Sequence, residues 1–153
     1  VKILVANKKN AEHISRIMKE SHAMISITTP GDDLADLADN DNRVDLLRIQ
    51  FHDLTDIHVK EAEKGGVPKH MVFPNVGHAN QILDWFENLD QSKTDCLIIH
   101  CNEGCSRSPG VAAALCEVNG EGEGHFAHDD PRGCYSPNIL IKSLIIEEAR
   151  KRA

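Results

Sequence analysis

The sequence predicts an α/β domain, with a central and mostly parallel sheet flanked by helices. Three observations predict it. Short apolar runs, such as residues 2–6 and 96–100, alternate with segments whose apolar residues recur at helical spacing. Two helical segments open on Ser-Pro, at 108–109 and 136–137, and proline is favoured in a helix's first turn. The chain has 153 residues, of which 41% are apolar, which suits one domain around one core. No internal repeat or linker divides it, so residues 1–153 read as a single domain.

Each element has its own signal. "KILVA", residues 2–6, is a first strand, and "NAEHISRIMKE" follows as a helix. Ile14, Ile17 and Met18 set that helix's apolar face, with Asn10 as its expected N-cap. "AMISITT" alternates and stops at "PGDD", as a strand closing in a turn does. "VDLLRIQF", residues 44–51, is a further strand. "HDLTDIHVKEAEKGGVPKH" is polar, contains Gly65, Gly66 and Pro68, and reads as a long functional loop. Val76, Ala79, Ile82, Leu83, Phe86 and Leu89 form a helical stripe. "CLIIH", residues 96–100, is a continuous apolar run, as a strand buried on both faces requires. A helix then starts with Ser108 as N-cap and Pro109 at its first position. "NGEGEGHFAHDDPRG" is a Gly-rich acidic loop, and "SPNILIKSLIIEEARKR" is the last helix.

Composition narrows the function classes. No run of about 18 apolar residues is present to span a membrane. The opening "VKILVANKKN" lacks the form of a secretory signal. The net charge of −7 argues against nucleic acid or an anionic membrane as partner. Five cysteines without a scaffold pattern suggest a reduced, cytoplasmic protein whose cysteines are core residues or reagents.

The stretch that carries chemistry is "HCNEGCSRSPG", residues 100–110. It joins a buried strand to a helix N-terminus, and open α/β sheets bind ligands at such strand ends. Helix N-termini and nests of successive N–H groups attract anions. Gly104 permits the tight backbone, and the Arg107 guanidinium is a fork for two phosphate oxygens. A thiol at Cys101, in that positive field, is expected to ionise near neutral pH and act as a nucleophile. No Gly-Lys-Ser/Thr follows, so this is not a nucleotide-type loop.

"HCNEGCSRS" resembles the His-Cys-x5-Arg-Ser/Thr signature of the cysteine-dependent protein tyrosine phosphatases, nearest to their compact dual-specificity branch. "LLRIQFHD" is similar to that branch's strand leading to its general acid, and "SPN", residues 136–138, to the start of its last helix. The resemblance implies a three-layer phosphatase-type α/β fold, no metal or other cofactor, and a phosphocysteine mechanism. It implies Cys101 as nucleophile and Arg107 as phosphate clamp. The backbone of Asn102, Glu103, Gly104, Cys105 and Ser106, continuing to Arg107, would cradle the phosphate. Ser108 would bond the sulfur and help it leave, and His100 would support the loop. Asp53 is the expected general acid, with Asp56 as the other candidate.

The sequence departs from that branch in three places. The region before the last helix is short, acidic and Gly-rich, unlike the part of that branch where a helix usually stands. No recognition loop for a deep phosphotyrosine pocket stands near the N-terminus. Glu103 is acidic and the signature holds no Lys, which disfavours polyphosphoinositides. The expected substrate is therefore phosphotyrosine in a protein or a small aryl phosphate, with phosphoserine and phosphothreonine also admitted. The alternatives are a sugar phosphate, lipid headgroup or RNA 5′-phosphate, arsenate reduction through extra cysteines, and phosphate binding without turnover. Cys105 is read as a packing residue or as a disulfide partner for Cys101, and Cys96, Cys116 and Cys134 as core or incidental. "HFAHDD", residues 125–130, is read as a solvated loop rather than a metal site, and Trp85 as the edge of the core.

Overall fold

The structure, a computed structural model, describes residues 1–121, 126–128 and 136–153. Its strands are β1 (Lys2–Asn7), β2 (His22–Thr28), β3 (Arg43–Gln50), β4 (Cys96–Cys101) and the two-residue β5 (Ala127–His128). Its α-helices are α1 (Lys8–Ile17), α2 (Asp56–Glu63), α3 (Val76–Asn88), α4 (Arg107–Val118) and α5 (Ile139–Arg152). The five strands form one sheet in the order β3-β2-β4-β1-β5, and every pairing is parallel.

The sheet is covered on both faces. Ile25, Ile27, Leu97 and Ile99 pack with α3, α4 and α5 through Ile82, Leu83, Leu115, Ile141 and Ile145. Met24, Cys96 and Ile98 pack on the other face with Ala11 and Ile14 of α1. Both faces being covered, all seven residues of β2 and all six of β4 are buried. The alternation expected of β2 is thus replaced by burial on both sides. Each fully buried Ile or Leu contributes about 1.5–3 kcal/mol, so this centre fixes the sheet order.

Helix α1 leaves β1 on one face, and α4 leaves the neighbouring β4 on the other. The chain therefore parts at the carboxyl ends of β1 and β4, where Asn7 pairs with Cys101. That is a crevice of the kind in which α/β sheets bind ligands.

Three local expectations are corrected. Helix α1 is capped by Asn7, not Asn10: Asn7 Oδ1 accepts from the Asn10 N–H at 2.8 Å. The strand runs straight into the helix, so the cap comes three residues early. Helix α4 begins at Arg107 with Ser106 at its N-cap, so Pro109 is third in the helix, still within the first turn whose N–H groups lack intrahelical partners. This frees the Ser108 hydroxyl to turn inward. Finally, the segment read as a loop after β3 contains α2, which buries no residue and is held at its start by the Thr55 N–H donating to His58 Nδ1 at 3.0 Å. Without an apolar stripe it left no helical period to read.

Candidate active site

Strand β4 delivers His100 and Cys101 to the crevice. His100 is fully buried, and its Nδ1 lies 3.1 Å from the Cys101 carbonyl while its Nε2 lies 2.6 Å from Ser26 Oγ. A carbonyl only accepts, so Nδ1 carries the proton and Nε2 accepts from the Ser26 hydroxyl. This uses a neutral imidazole. Burial pushes the His100 pKa down to about 4, against a weaker upward pull from the Cys101 carbonyl.

Cys101 is 2% exposed, and its sulfur receives two polar contacts. Ser108 Oγ stands 3.1 Å from Sγ, and the Gly104 N–H donates to it at 3.3 Å. Gly104 has φ +72°, and a Cβ there would lie 3.0 Å from the Ala6 carbonyl and from the Asn7 nitrogen. Only glycine permits the loop to turn its N–H to the sulfur while resting on the end of β1.

The carbonyls of the loop are held from outside. The Asn102 carbonyl accepts from Lys8 N at 3.1 Å, and the Cys105 carbonyl from Ser136 N at 2.8 Å. The Ser106 carbonyl accepts from Gly110 N and from Asn138 N, each at 2.9 Å. His128 of β5 donates Nε2–H to the Gly104 carbonyl at 2.7 Å. Since N–H and C=O point oppositely across a peptide unit, carbonyls drawn outward leave the N–H groups to line the inside. That arrangement suits an anion at the start of α4.

Arg107 is 6% exposed and stands where this loop enters α4. Its Nη1 donates to Thr29 Oγ1 at 3.0 Å and to the Phe51 carbonyl at 2.8 Å. Thr29 Oγ1 also accepts from Asn102 Nδ2 at 3.2 Å, so one hydroxyl fixes both ends of the loop. Two residues after Phe51 comes Asp53, which is exposed. Its Oδ1 accepts from Ser106 Oγ at 2.7 Å and from Asn138 Nδ2 at 2.8 Å. Asp53 is thus tied to the loop itself, whereas Asp56 is the first residue of α2. Asn138 is a junction. Besides Asp53 it donates to the Leu54 carbonyl at 3.0 Å and caps α5 by accepting from Ile141 N at 3.1 Å. A Cβ on Gly110 would stand 2.6 Å from the Asn138 carbonyl, so the glycine of α4 lets that junction approach.

The structure therefore brings together His100, Cys101, Asn102, Gly104, Ser106, Arg107, Ser108 and Asp53. The sequence reading missed Ser26, Thr29, His128 and Asn138 as their supports. Only Asn138 had a visible signal, as the residue after Ser-Pro at a helix start. It also missed the surroundings of the signature: Lys8 and Lys9 share a cleft of about 460 Å³ with Glu12, Asp32, Asn102 and Glu103. The two lysines there meet three carboxylates rather than forming a basic patch.

The cysteines require a correction. Cys101 is a free thiol, so it is not bonded to Cys105. Cys105 is itself disulfide-bonded, contrary to the expectation of a fully reduced chain. Cys96 and Cys116 are free and buried in the core, as expected, and burial pushes the Cys116 thiol up to about 11. Trp85 packs at the edge of the core. Cys134 lies outside the described residues, as do His125, Asp129 and Asp130 of the segment weighed for a metal. No helix among the described residues is long and apolar enough to cross a membrane. The chain matches no protein-family model and no curated protein sequence.

Proposed function

We propose that this chain hydrolyses phosphomonoesters, phosphotyrosine before others, through a phosphocysteine intermediate. One observation carries the reading: a loop whose carbonyls are bonded from other segments turns an N–H to the Cys101 sulfur, with Arg107 at its end and Asp53 bonded to its rim. A nest of N–H groups and a guanidinium bind a tetrahedral oxyanion, and a sulfur at its base stands in line to attack phosphorus.

In the first step the Cys101 thiolate bonds to phosphorus and the ester P–O bond breaks. The Asp53 carboxyl gives its proton to the leaving oxygen. The Arg107 guanidinium and loop N–H groups hold the equatorial oxygens as charge spreads over them. In the second step the Asp53 carboxylate takes a proton from water, whose oxygen attacks phosphorus. The P–S bond breaks, and the Ser108 hydroxyl donates to the departing sulfur from 3.1 Å.

The thiol relay of an arsenate reductase fits less well. Among the described cysteines other than Cys101, Cys96 and Cys116 are buried at 4% and 0% exposure and Cys105 is already in a disulfide, so none is an accessible free thiol. The test is hydrolysis of p-nitrophenyl phosphate in the presence of a chelator, with Cys101→Ser beside the wild type. The reading expects turnover in the wild type, none above background in the variant, and retained binding of an oxyanion such as vanadate or tungstate by the variant. Equal turnover in the two proteins would exclude the covalent route.

A further inference from the structure

We propose that the cavity beside the phosphate loop is a subsite for an apolar side chain adjacent to phosphotyrosine in a substrate peptide. The proposal rests on the phosphatase reading and names the substrate class of the same site. The cavity measures about 310 Å³ and is lined by Ile57, Pro137 and Ile139 on its apolar part and by Asp56, Ser106 and Asn138 among its polar groups. Ser106 and Asn138 are the two residues that donate to Asp53 Oδ1. The cavity therefore starts beside the carboxyl that protonates the leaving oxygen, which is where the carrier of the phosphate emerges from the loop.

Its outer walls are apolar without any need of the fold. Ile57 is 71% exposed and Ile139 is 63% exposed. Each stands in the first turn of its helix, where the caps at Thr55 and Asn138 fix the backbone. A single exposed isoleucine is ordinary. Two on one cavity that adjoins a candidate reaction centre form the apolar lining with a few polar groups that marks a ligand site. The volume is at the small end for such sites and suits one side chain rather than a cofactor. The cleft on the loop's other flank is lined by Lys8, Lys9, Glu12, Asp32 and Glu103 and gives an apolar group nothing to bury against. A peptide anchored by its phosphate thus gains by laying an apolar neighbour between Ile57 and Ile139.

The test compares two phosphotyrosine peptides, one with leucine on both sides of the phosphotyrosine and one with glycine. The proteins are the wild type and Ile57→Ser/Ile139→Ser, whose substitutions at exposed positions leave the core intact. The wild type should favour the leucine peptide in kcat/KM by about tenfold, the effect of partly burying one aliphatic side chain. The double variant should lose that preference while hydrolysing p-nitrophenyl phosphate at the wild-type rate. Equal rates on the two peptides in the wild type, or an equal loss on peptide and p-nitrophenyl phosphate in the variant, would overturn the subsite. Binding of both peptides to Cys101→Ser protein separates this from the reading beneath it. With no turnover of any ester the phosphatase reading fails, yet a leucine preference in binding still upholds the subsite, and its absence removes it.

Discussion

On the β4–α4 side of the candidate site, the assigned groups are buried: His100 and Ser108 fully, Cys101 to 2% exposure and Arg107 to 6%. On the 53–57 side, Asp53, Asp56 and Ile57 are exposed, and Asp53 is held by two side-chain hydrogen bonds to one oxygen. The first side is set by the sheet, because Cys101 is a strand residue paired with Asn7 and Arg107 bonds two neighbouring segments. The second side is pinned by one buried residue, Leu54, and by polar contacts at its edge, and it runs on into α2, which has no buried residue. Few buried contacts mean low local stability. On the proposed reading, the buried side sets what is bound and the exposed side sets what can leave.

That division predicts different signatures for damage on each side. Asp53→Ala should slow hydrolysis of an ester with a poor leaving group by about 10²–10⁴-fold, the usual contribution of a general acid. With p-nitrophenyl phosphate, whose leaving group departs without a proton, the loss should be much smaller. A series of aryl phosphates of rising leaving-group basicity measures the difference as a slope. Equal loss along the series, or the same slope change from Asp56→Ala, would break the assignment of the exposed side.

Arg107→Lys is the matching test of the buried side. A lysine keeps the charge but cannot reach Thr29, the Phe51 carbonyl and a bound phosphate with one planar fork. The expected loss is about 10²–10³-fold, as for removal of one transition-state donor. It should be the same for good and poor leaving groups. A loss that grew with leaving-group basicity would mean that the two sides do not divide the work.

The same contrast explains what the sequence could say. The β4–loop–α4 unit was legible because it is local: an apolar run, a Cys-x5-Arg spacing, a glycine and a helix, all within residues 96–118. Asp53 was legible for a similar reason, standing just past a recognisable strand. The supports were not, because each acts across the sheet. Thr29 meets Arg107 from 78 positions away, Ser26 meets His100 from 74, and Asn138 meets Asp53 from 85. A threonine at a strand end or an asparagine at a helix start has an adequate local explanation, so nothing in the pattern marks it further. Helix α2 escaped notice because nothing in it is buried, and the caps of α1 and α4 moved because strand and loop geometry decide where each helix begins.

Ser106→Ala probes the tie between the sides. It removes the donor 2.7 Å from Asp53 Oδ1 without emptying the core, since Ser106 is half-buried at the loop's rim. One hydrogen bond to a carboxylate places the loss at about tenfold or less. The loss should appear with poor leaving groups and vanish with p-nitrophenyl phosphate. A uniform loss would instead make Ser106 part of the phosphate cradle alone.

The last effect belongs to His100, and it concerns stability rather than rate. The buried side holds this imidazole neutral, with its pKa pushed down to about 4 by burial, while an unfolded histidine titrates near 6.5. Between those values the unfolded chain binds a proton that the folded chain refuses. The contribution of neutral His100 to stability is therefore fully present above about pH 6.5 and falls as the pH drops towards 4. The steepest slope is about 1.4 kcal/mol per pH unit for one proton. Denaturant unfolding of the wild type and of His100→Gln, measured from pH 7.5 to about pH 4.5, isolates this term because the other histidines are common to both. The variant should start less stable, having lost the fit between Ser26 and the Cys101 carbonyl, and the gap should narrow as the pH falls. Curves that stay parallel would show that His100 takes up its proton in the folded state as readily as in the unfolded one, and that this side of the site is open to water after all.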